Sequence, residues 1–160
     1  MLINFKELPP EARIWIYQAN RPFKEEELQE INSEIEAFLT AWTAHGSSLK
    51  AGYKIPYNRF IVFGLDQEIA SASGCSIDAS VHFIQSLEKK YNVTLLDKMN
   101  VTFKQGEYLA HKPLTDFKNL VKNKSVSENT IVFNNLVNNK EEFTHNWEVP
   151  LKDSWHNRFL

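Results

Sequence analysis

The sequence predicts an α+β fold with a ferredoxin-like (split βαβ) core, an antiparallel sheet, two main helices and C-terminal additions. The predicted segments follow the order strand, helix, strand, strand, helix, strand, which is the order of that core. Turn residues at 56–58 favour an antiparallel hairpin between the two middle strands. A composition of 42% hydrophobic and 12% aromatic residues is typical of a folded globular chain.

The first strand and the first helix are predicted from two different periodicities. Residues 12–18 alternate at first and are rich in β-branched and aromatic side chains, which favours a strand. After turn residues at 19–22, glutamates at 25–27 place negative charge where a helix N-terminus favours it. Apolar residues then recur at steps of three, four and seven as far as Trp42, so we expect a long helix with Gly46 as its C-terminal cap.

The middle of the chain predicts a hairpin and a second helix. Residues 49–57 and 59–65 are expected to form two strands, and the apolar run 60–63 indicates a central strand that is covered on both faces. The small-residue segment 71–76 then leads into an amphipathic helix with Ser76 as the predicted N-cap. The apolar face of this helix comprises Ile77, Val81, Ile84, Leu87 and Tyr91.

The last third predicts shorter elements. Residues 101–104 and 108–111 are expected to pair as a tight hairpin, and residues 113–121 form a short helix with proline in its first turn. A strand is predicted at 130–133. The segment 134–160 is rich in aromatic residues, which are costly to leave in water, so we expect it to pack back onto the fold.

The bulk properties predict a cytoplasmic protein with a single globular domain over residues 1–160. A net charge of −2 disfavours nucleic-acid binding, and neither an export signal nor a membrane-spanning run is visible. One cysteine excludes an intramolecular disulfide and a four-cysteine zinc site. The five histidines are scattered, and no glycine-rich nucleotide motif occurs, so no metal and no cofactor is expected.

The segment 71–76 is the first candidate site. Backbone N–H groups and the positive end of a helix dipole converge at such a junction and can bind an anion. A small anionic ligand is therefore the leading hypothesis for a partner, and His82 lies at the rim of the predicted site. The proposed ligand-binding residues are Ser73, Gly74, Ser76, Asp78 and Arg59.

Cys75 supports a second hypothesis, a thiol-dependent enzyme. A thiol near a helix N-terminus is a candidate nucleophile, and a nearby imidazole could act as its base. His82 is one candidate catalytic base, although it lies well over one turn into the helix; His45 is the other, if the helix ends meet in space. The alternative is that Cys75 is a small buried hydrophobe, and that Asp78 and His82 form an ordinary solvated face.

The C-terminal segment supports a third hypothesis, a protein-interaction module. Trp155, Arg158 and Phe159 are residue types that anchor interfaces, so this end could dock a protein partner or a second copy of the chain. The alternative is a segment that closes its own core.

Six motifs are spread along nearly the whole chain: Trp42-Thr43-Ala44-His45-Gly46, Tyr57-Asn58-Arg59-Phe60, Ser73-Gly74-Cys75-Ser76-Ile77-Asp78, Ser80-Val81-His82-Phe83, Val132-Phe133-Asn134-Asn135-Leu136 and Asp153-Ser154-Trp155-His156. In these motifs the chain resembles a small family of uncharacterised bacterial proteins, some of which are labelled ABC transporter ATPases. The phosphate-binding loop of such ATPases is absent from this sequence. The resemblance therefore implies a stand-alone soluble domain, supplies no catalytic residues and leaves the function open.

Overall fold

A three-stranded antiparallel sheet and two long helices form the first of two units in the chain. The computed structural model describes residues 1–160, which divide into the units Met1–Leu96 and Asp97–Leu160. This division does not test the expectation of a single domain over residues 1–160, which stays a prediction. The elements of the first unit are β1 (Arg13–Gln18), α1 (Glu25–Ala41), β2 (Thr43–Ala44), β3 (Ser47–Ser48), β4 (Lys50–Lys54), β5 (Phe60–Asp66) and α2 (Gly74–Tyr91).

Strand β5 is the centre of this sheet, as its apolar run predicts. The strand order is β1-β5-β4, both pairings are antiparallel, and every residue of β5 is buried. Helix α1 therefore joins two parallel strands, β1 and β4, that have an antiparallel strand between them, which is a split β-α-β arrangement. The fourth strand that would complete a ferredoxin-like core does not belong to this sheet, so the ferredoxin-like core is not confirmed.

The helices cover one face of the sheet because apolar residues of three elements meet there. Alternate residues of β5, from Ile61 to Leu65, point to the same side as the buried stripe of α1. The stripe of α2 differs slightly from the prediction, since its first two buried residues are Ser76 and Ser80 whereas Ile77 is only half-buried. Small side chains at those positions leave room for the aromatic residues of α1.

The segment that precedes β1 covers the other face and one edge of the same sheet. A Cβ atom on Gly64 would lie 2.4 Å from Leu8 Cδ1, so only glycine lets this leucine pack so closely on β5. Leu2 forms a parallel bridge with Ala51, whose carbonyl accepts a hydrogen bond of 2.8 Å from the Ile3 N–H. The outer edge of β4 is therefore occupied by the chain itself.

Helix α1 ends earlier than predicted. Its last residue is Ala41 and its C-cap is Trp42, so Gly46 is not the cap. Instead, β2 and β3 pair around a two-residue turn in which His45 has φ of 52° and Gly46 has φ of 80°. Turns of this kind require positive φ at both central residues, which glycine adopts freely.

Helix α2 begins earlier than predicted. Its first residue is Gly74 and its N-cap is Ser73, which corrects the assignment of Ser76 as the cap. Serine is a favoured residue type at an N-cap, so both residues suit that position. Ser76, however, is the third residue of the helix, and its hydroxyl oxygen accepts a hydrogen bond from the Ser73 N–H in return. Cys75 is consequently the second residue of the helix.

The second unit contains a four-stranded antiparallel sheet of order β7-β6-β8-β9, and the predicted hairpin over 101–111 is confirmed. Its core includes Phe103, Phe117, Val132 and Leu151. The aromatic segment packs onto this unit as expected and contributes α4 and β9, which the sequence did not predict. The elements are β6 (Asn100–Gln105), β7 (Tyr108–Pro113), α3 (Leu114–Lys122), β8 (Ile131–Phe133), α4 (Lys140–Asn146) and β9 (Glu148–Pro150), followed by short 3-10 helices over Leu151–Asp153 and Trp155–Phe159.

The architecture is thus mixed α+β, with four α-helices and antiparallel sheets. None of these helices combines the length and the apolar character that crossing a bilayer requires.

Candidate functional site

An open cleft of about 480 Å³ lies in the first unit, where the end of α1, the β2–β3 hairpin and the start of α2 meet. Aromatic side chains and small polar residues both contribute to its walls. The residues that line it are Phe38, Ala41, Trp42, Thr43, His45, Ser73, Cys75, Ser76 and Ala79.

Trp42 forms a rigid wall of the cleft. Its indole N–H donates a hydrogen bond of 2.8 Å to the backbone carbonyl of Ser76, which ties the end of α1 to the first turn of α2. The ring also meets Trp15 edge-on with centroids 5.9 Å apart, and Phe38 with centroids 5.7 Å apart. A buried indole with a satisfied N–H holds one position, so this wall is formed before any ligand arrives.

Phe38 forms the second aromatic wall. Its ring stacks on Phe83 of α2 with centroids 4.5 Å apart and an angle of 6° between the planes. The same ring packs over Phe63 in the central strand. The sequence predicts Phe38 and Trp42 as members of the buried stripe of α1, and nothing in the local pattern marks them as cleft residues.

A capping box uses part of the hydrogen-bonding capacity of the first turn of α2. The Ser76 N–H donates to Ser73 Oγ at 3.1 Å, and the Ser73 N–H donates to Ser76 Oγ at 2.6 Å. Ser76 is only 2% exposed, so both hydroxyl groups have a structural task. The N–H groups of Gly74 and Cys75 belong to the open end of the helix, where no carbonyl of a preceding turn is within reach.

Cys75 and His45 line the same cleft. Cys75 has an exposed side chain on the first turn of α2, so the interpretation as a buried hydrophobe is wrong. His45 is exposed at the tip of the hairpin, and strand β2 of that hairpin packs against α2. No hydrogen bond joins the thiol to the imidazole in this structure, but the two groups share one open space.

Asp78 and His82 do not line the cleft. Both side chains are exposed on α2, as expected for a solvated helix face. His82 lies seven residues after Cys75, which corresponds to about 10 Å along a helix axis. Of the two imidazoles considered as partners of the thiol, the structure therefore brings His45 to the cleft and leaves His82 outside it.

Arg59 lies at the other end of the central strand. It precedes β5, whereas the segment 71–76 follows it, and seven strand residues span roughly 20 Å. The side chain is buried and its Nη2 donates to the Asn20 carbonyl at 3.3 Å. Burial lowers the pKa of this guanidinium below its ordinary value. Arg59 is therefore not brought together with the cleft residues.

The C-terminal candidates pack onto the second unit. Trp155 and Phe159 are half-buried and meet each other edge-on with centroids 5.7 Å apart. The guanidinium of Arg158 lies 5.2 Å from the centre of the Trp155 ring, and Phe159 contacts Phe117 of α3. These contacts are those of a segment that closes its own core; docking of a partner or of a second copy stays a prediction.

No group of three or more histidine, cysteine, aspartate or glutamate side chains is arranged to hold a metal ion. Comparisons with known protein families, with curated proteins and with solved structures gave no match for this chain. The resemblance to a family of small bacterial proteins therefore stays a prediction, and the chemistry of the cleft is the remaining guide to function.

Proposed function

We propose that this protein is a cytoplasmic binder of a small anionic molecule with a flat apolar portion, and that the cleft of the first unit is the binding site. The observation that carries the proposal is that aromatic side chains and the N-terminal end of a helix line the same cleft. Phe38 offers partly exposed aromatic surface beside the buried ring of Trp42, and the first turn of α2 offers the N–H groups at its open end and the positive end of its dipole.

The volume of the cleft supports a small ligand. A space of about 480 Å³ lies within the range of small-molecule sites, and it is open to solvent, so a ligand can enter without a large rearrangement. His45 adds a ring N–H group at the hairpin tip, which can donate a hydrogen bond to a carboxylate. Charge complementarity is modest because the lining includes no lysine or arginine.

Thermal stability in the presence of matched probes tests this proposal. Phenylacetate has both parts of the expected ligand, phenylacetamide lacks the charge, and inorganic phosphate lacks the apolar part. A probe present at 100 times its dissociation constant adds about 2.7 kcal/mol of stability, which raises the melting temperature by roughly 5 to 10 °C in a chain of this size. Phenylacetate is expected to stabilise the protein more than either of the other two probes.

A pair of variants on α2 locates the binding. Ala79→Met places a larger side chain in the cleft, and Gln85→Met places the same methionine at an exposed position of the same helix outside it. Ala79→Met is expected to lose the stabilisation by phenylacetate, whereas Gln85→Met keeps it. Equal stabilisation of both variants, or no response of the parent protein to any of these probes at millimolar concentration, would contradict the proposal.

A second candidate function is thiol chemistry at the same cleft, because Cys75 and His45 both line it. An imidazole near a thiol can take its proton and produce the nucleophilic thiolate. A positioned base usually accelerates a reaction by about 100-fold or more. Because no hydrogen bond joins the imidazole to the thiol, we expect His45→Gln to slow alkylation of Cys75 by iodoacetamide at pH 7 by only about tenfold. His82→Gln is the matched control and should leave the rate unchanged. Equal rates in the two variants would exclude this function.

A further inference from the structure

His156 is a buried histidine in the second unit that the cleft does not use. It is 2% exposed, and its Nδ1 lies 2.7 Å from the hydroxyl oxygen of Ser154, which is equally buried. The ring stacks on Trp155 with centroids 4.1 Å apart and meets the edge of Phe117 at 5.7 Å. The imidazole thus packs the segment Ser154–Phe159 against helix α3, together with the ring of Phe159.

The segment depends on side chains for its position. Its backbone bonds are local, since the Ser154 N–H donates to Leu151 and the Asn157 N–H donates to Ser154. The contacts that reach α3 are aromatic, from His156 and Phe159 to Phe117. Opening the segment therefore breaks few bonds to the rest of the unit, which is the condition for local rather than global opening.

The charges around His156 disfavour its protonated form. Arg158 and Lys118 bring cations to the same aromatic cluster, and Lys118 lies 5.1 Å from the centre of the Phe159 ring. None of the charged side chains on the packed elements forms an ion pair with the imidazole. The others are exposed: Lys152 and Asp153 on the preceding turn, and Asp116 and Lys122 on α3.

We propose that His156 is an acid-sensitive latch, which holds the segment Ser154–Phe159 against α3 when neutral and releases it when protonated. The proposal is independent of the function assigned to the cleft. It rests on the burial of the ring, its aromatic neighbours and the lack of an opposing carboxylate.

The direction of the effect follows from proton linkage. Burial, and next the charge of Arg158, lower the pKa of His156 to about 4 in the closed form, whereas a released imidazole returns to about 6.5. The proton therefore binds the open form more tightly, and closure weakens as the pH falls below about 6.5 until the pH reaches about 4. Between pH 7 and pH 5 the ratio of open to closed segments is expected to rise about 20-fold.

Amide hydrogen exchange of the full chain at pH 7 and pH 5, corrected for intrinsic exchange rates, tests the latch. The protection of the Ser154 and Asn157 amides should fall about 20-fold at pH 5, while amides in the last turn of α3 keep theirs. His156→Gln should remove this pH dependence, and His145→Gln, at an exposed position of the same unit, should retain it. Equal loss of protection in α3, or identical pH dependence in both variants, would overturn the proposal.

A second measurement on the unaltered protein keeps the test independent of how well the His156→Gln variant folds. Proton NMR of the imidazole Cε1–H gives the pKa of His156 directly, and the latch requires a value well below 6.5. A value near 6.5, with the segment still protected at pH 5, would overturn the proposal even if no variant could be prepared.

Discussion

Gly52 of β4 offers the sharpest test of how the first unit is held together. A Cβ atom at this position would lie 2.8 Å from the Ile3 carbonyl oxygen and 3.0 Å from both the N and the Cα atoms of Phe5. All three are backbone atoms, so no side-chain rotation can relieve the contact. The Gly52→Ala substitution must displace the segment that precedes β1.

The cost can be worked out from the bonds that this segment makes. Displacement breaks the bond from the Ile3 N–H to the Ala51 carbonyl and the bond from the Ala51 N–H to the Met1 carbonyl, at about 1 kcal/mol each. Overpacking and partial exposure of Phe5 add at least about 1 kcal/mol. We expect a loss of about 3 kcal/mol in the free energy of unfolding.

Urea unfolding followed by circular dichroism measures this loss. With a slope of about 2 kcal/mol per molar urea, the midpoint should fall by about 1.5 M. Gly74→Ala is the matched control: the same change meets nothing within 4 Å at the first residue of α2, where alanine is the better helix former. Its midpoint should stay level or rise slightly. Equal midpoints for the two variants would refute the reasoning.

Two further predictions concern the ends of the helices. Hydrogen bonding by Arg21, more than any other cause, lowers the pKa of Glu27 to about 2, so the stability that this pair contributes is present above about pH 4.5 and is lost as the pH falls towards 2. After allowance for solvent screening, Glu27→Gln should cost about 1 kcal/mol at pH 7 and about a quarter of that at pH 2.5, as urea titrations at the two pH values would show; an equal cost at both would contradict it. Ser73→Ala removes the N-cap of α2 and should cost about 1 kcal/mol by the same method, whereas Ser71→Ala, at an exposed loop position, should cost nothing.

The sequence predicts the elements of the first unit better than it predicts their ends. The run 60–63 has too little polarity for an edge strand, and it does form the central strand. The start of α2 is harder to assign because Ser73 and Ser76 both suit an N-cap. In the structure Ser73 is the cap, because its hydroxyl accepts from the Ser76 N–H and its carbonyl accepts from the Ile77 N–H.

Long-range pairing limits the prediction further. The order of elements matches a ferredoxin-like core, but β6 pairs with β7, through a turn that contains Gly106 at φ of 61°, and with β8 on its other edge, so neither edge is left for the first sheet. A local hairpin closes a short loop, so it competes well with pairing to a distant strand. Likewise, the cleft depends on where the ends of two helices meet, and the sequence places His45 beside Cys75 only if those ends come together.

The bridge between Leu2 and Ala51 also bears on solubility. Unpaired strand edges are templates on which other chains add strands, and here the first residues of the chain occupy the outer edge of β4. A change that detaches these residues uncovers that edge while the central strand is still formed. The first symptom of such a change would be self-association at high protein concentration, before any loss of helical signal, so a light-scattering assay would detect it earlier than a melting curve.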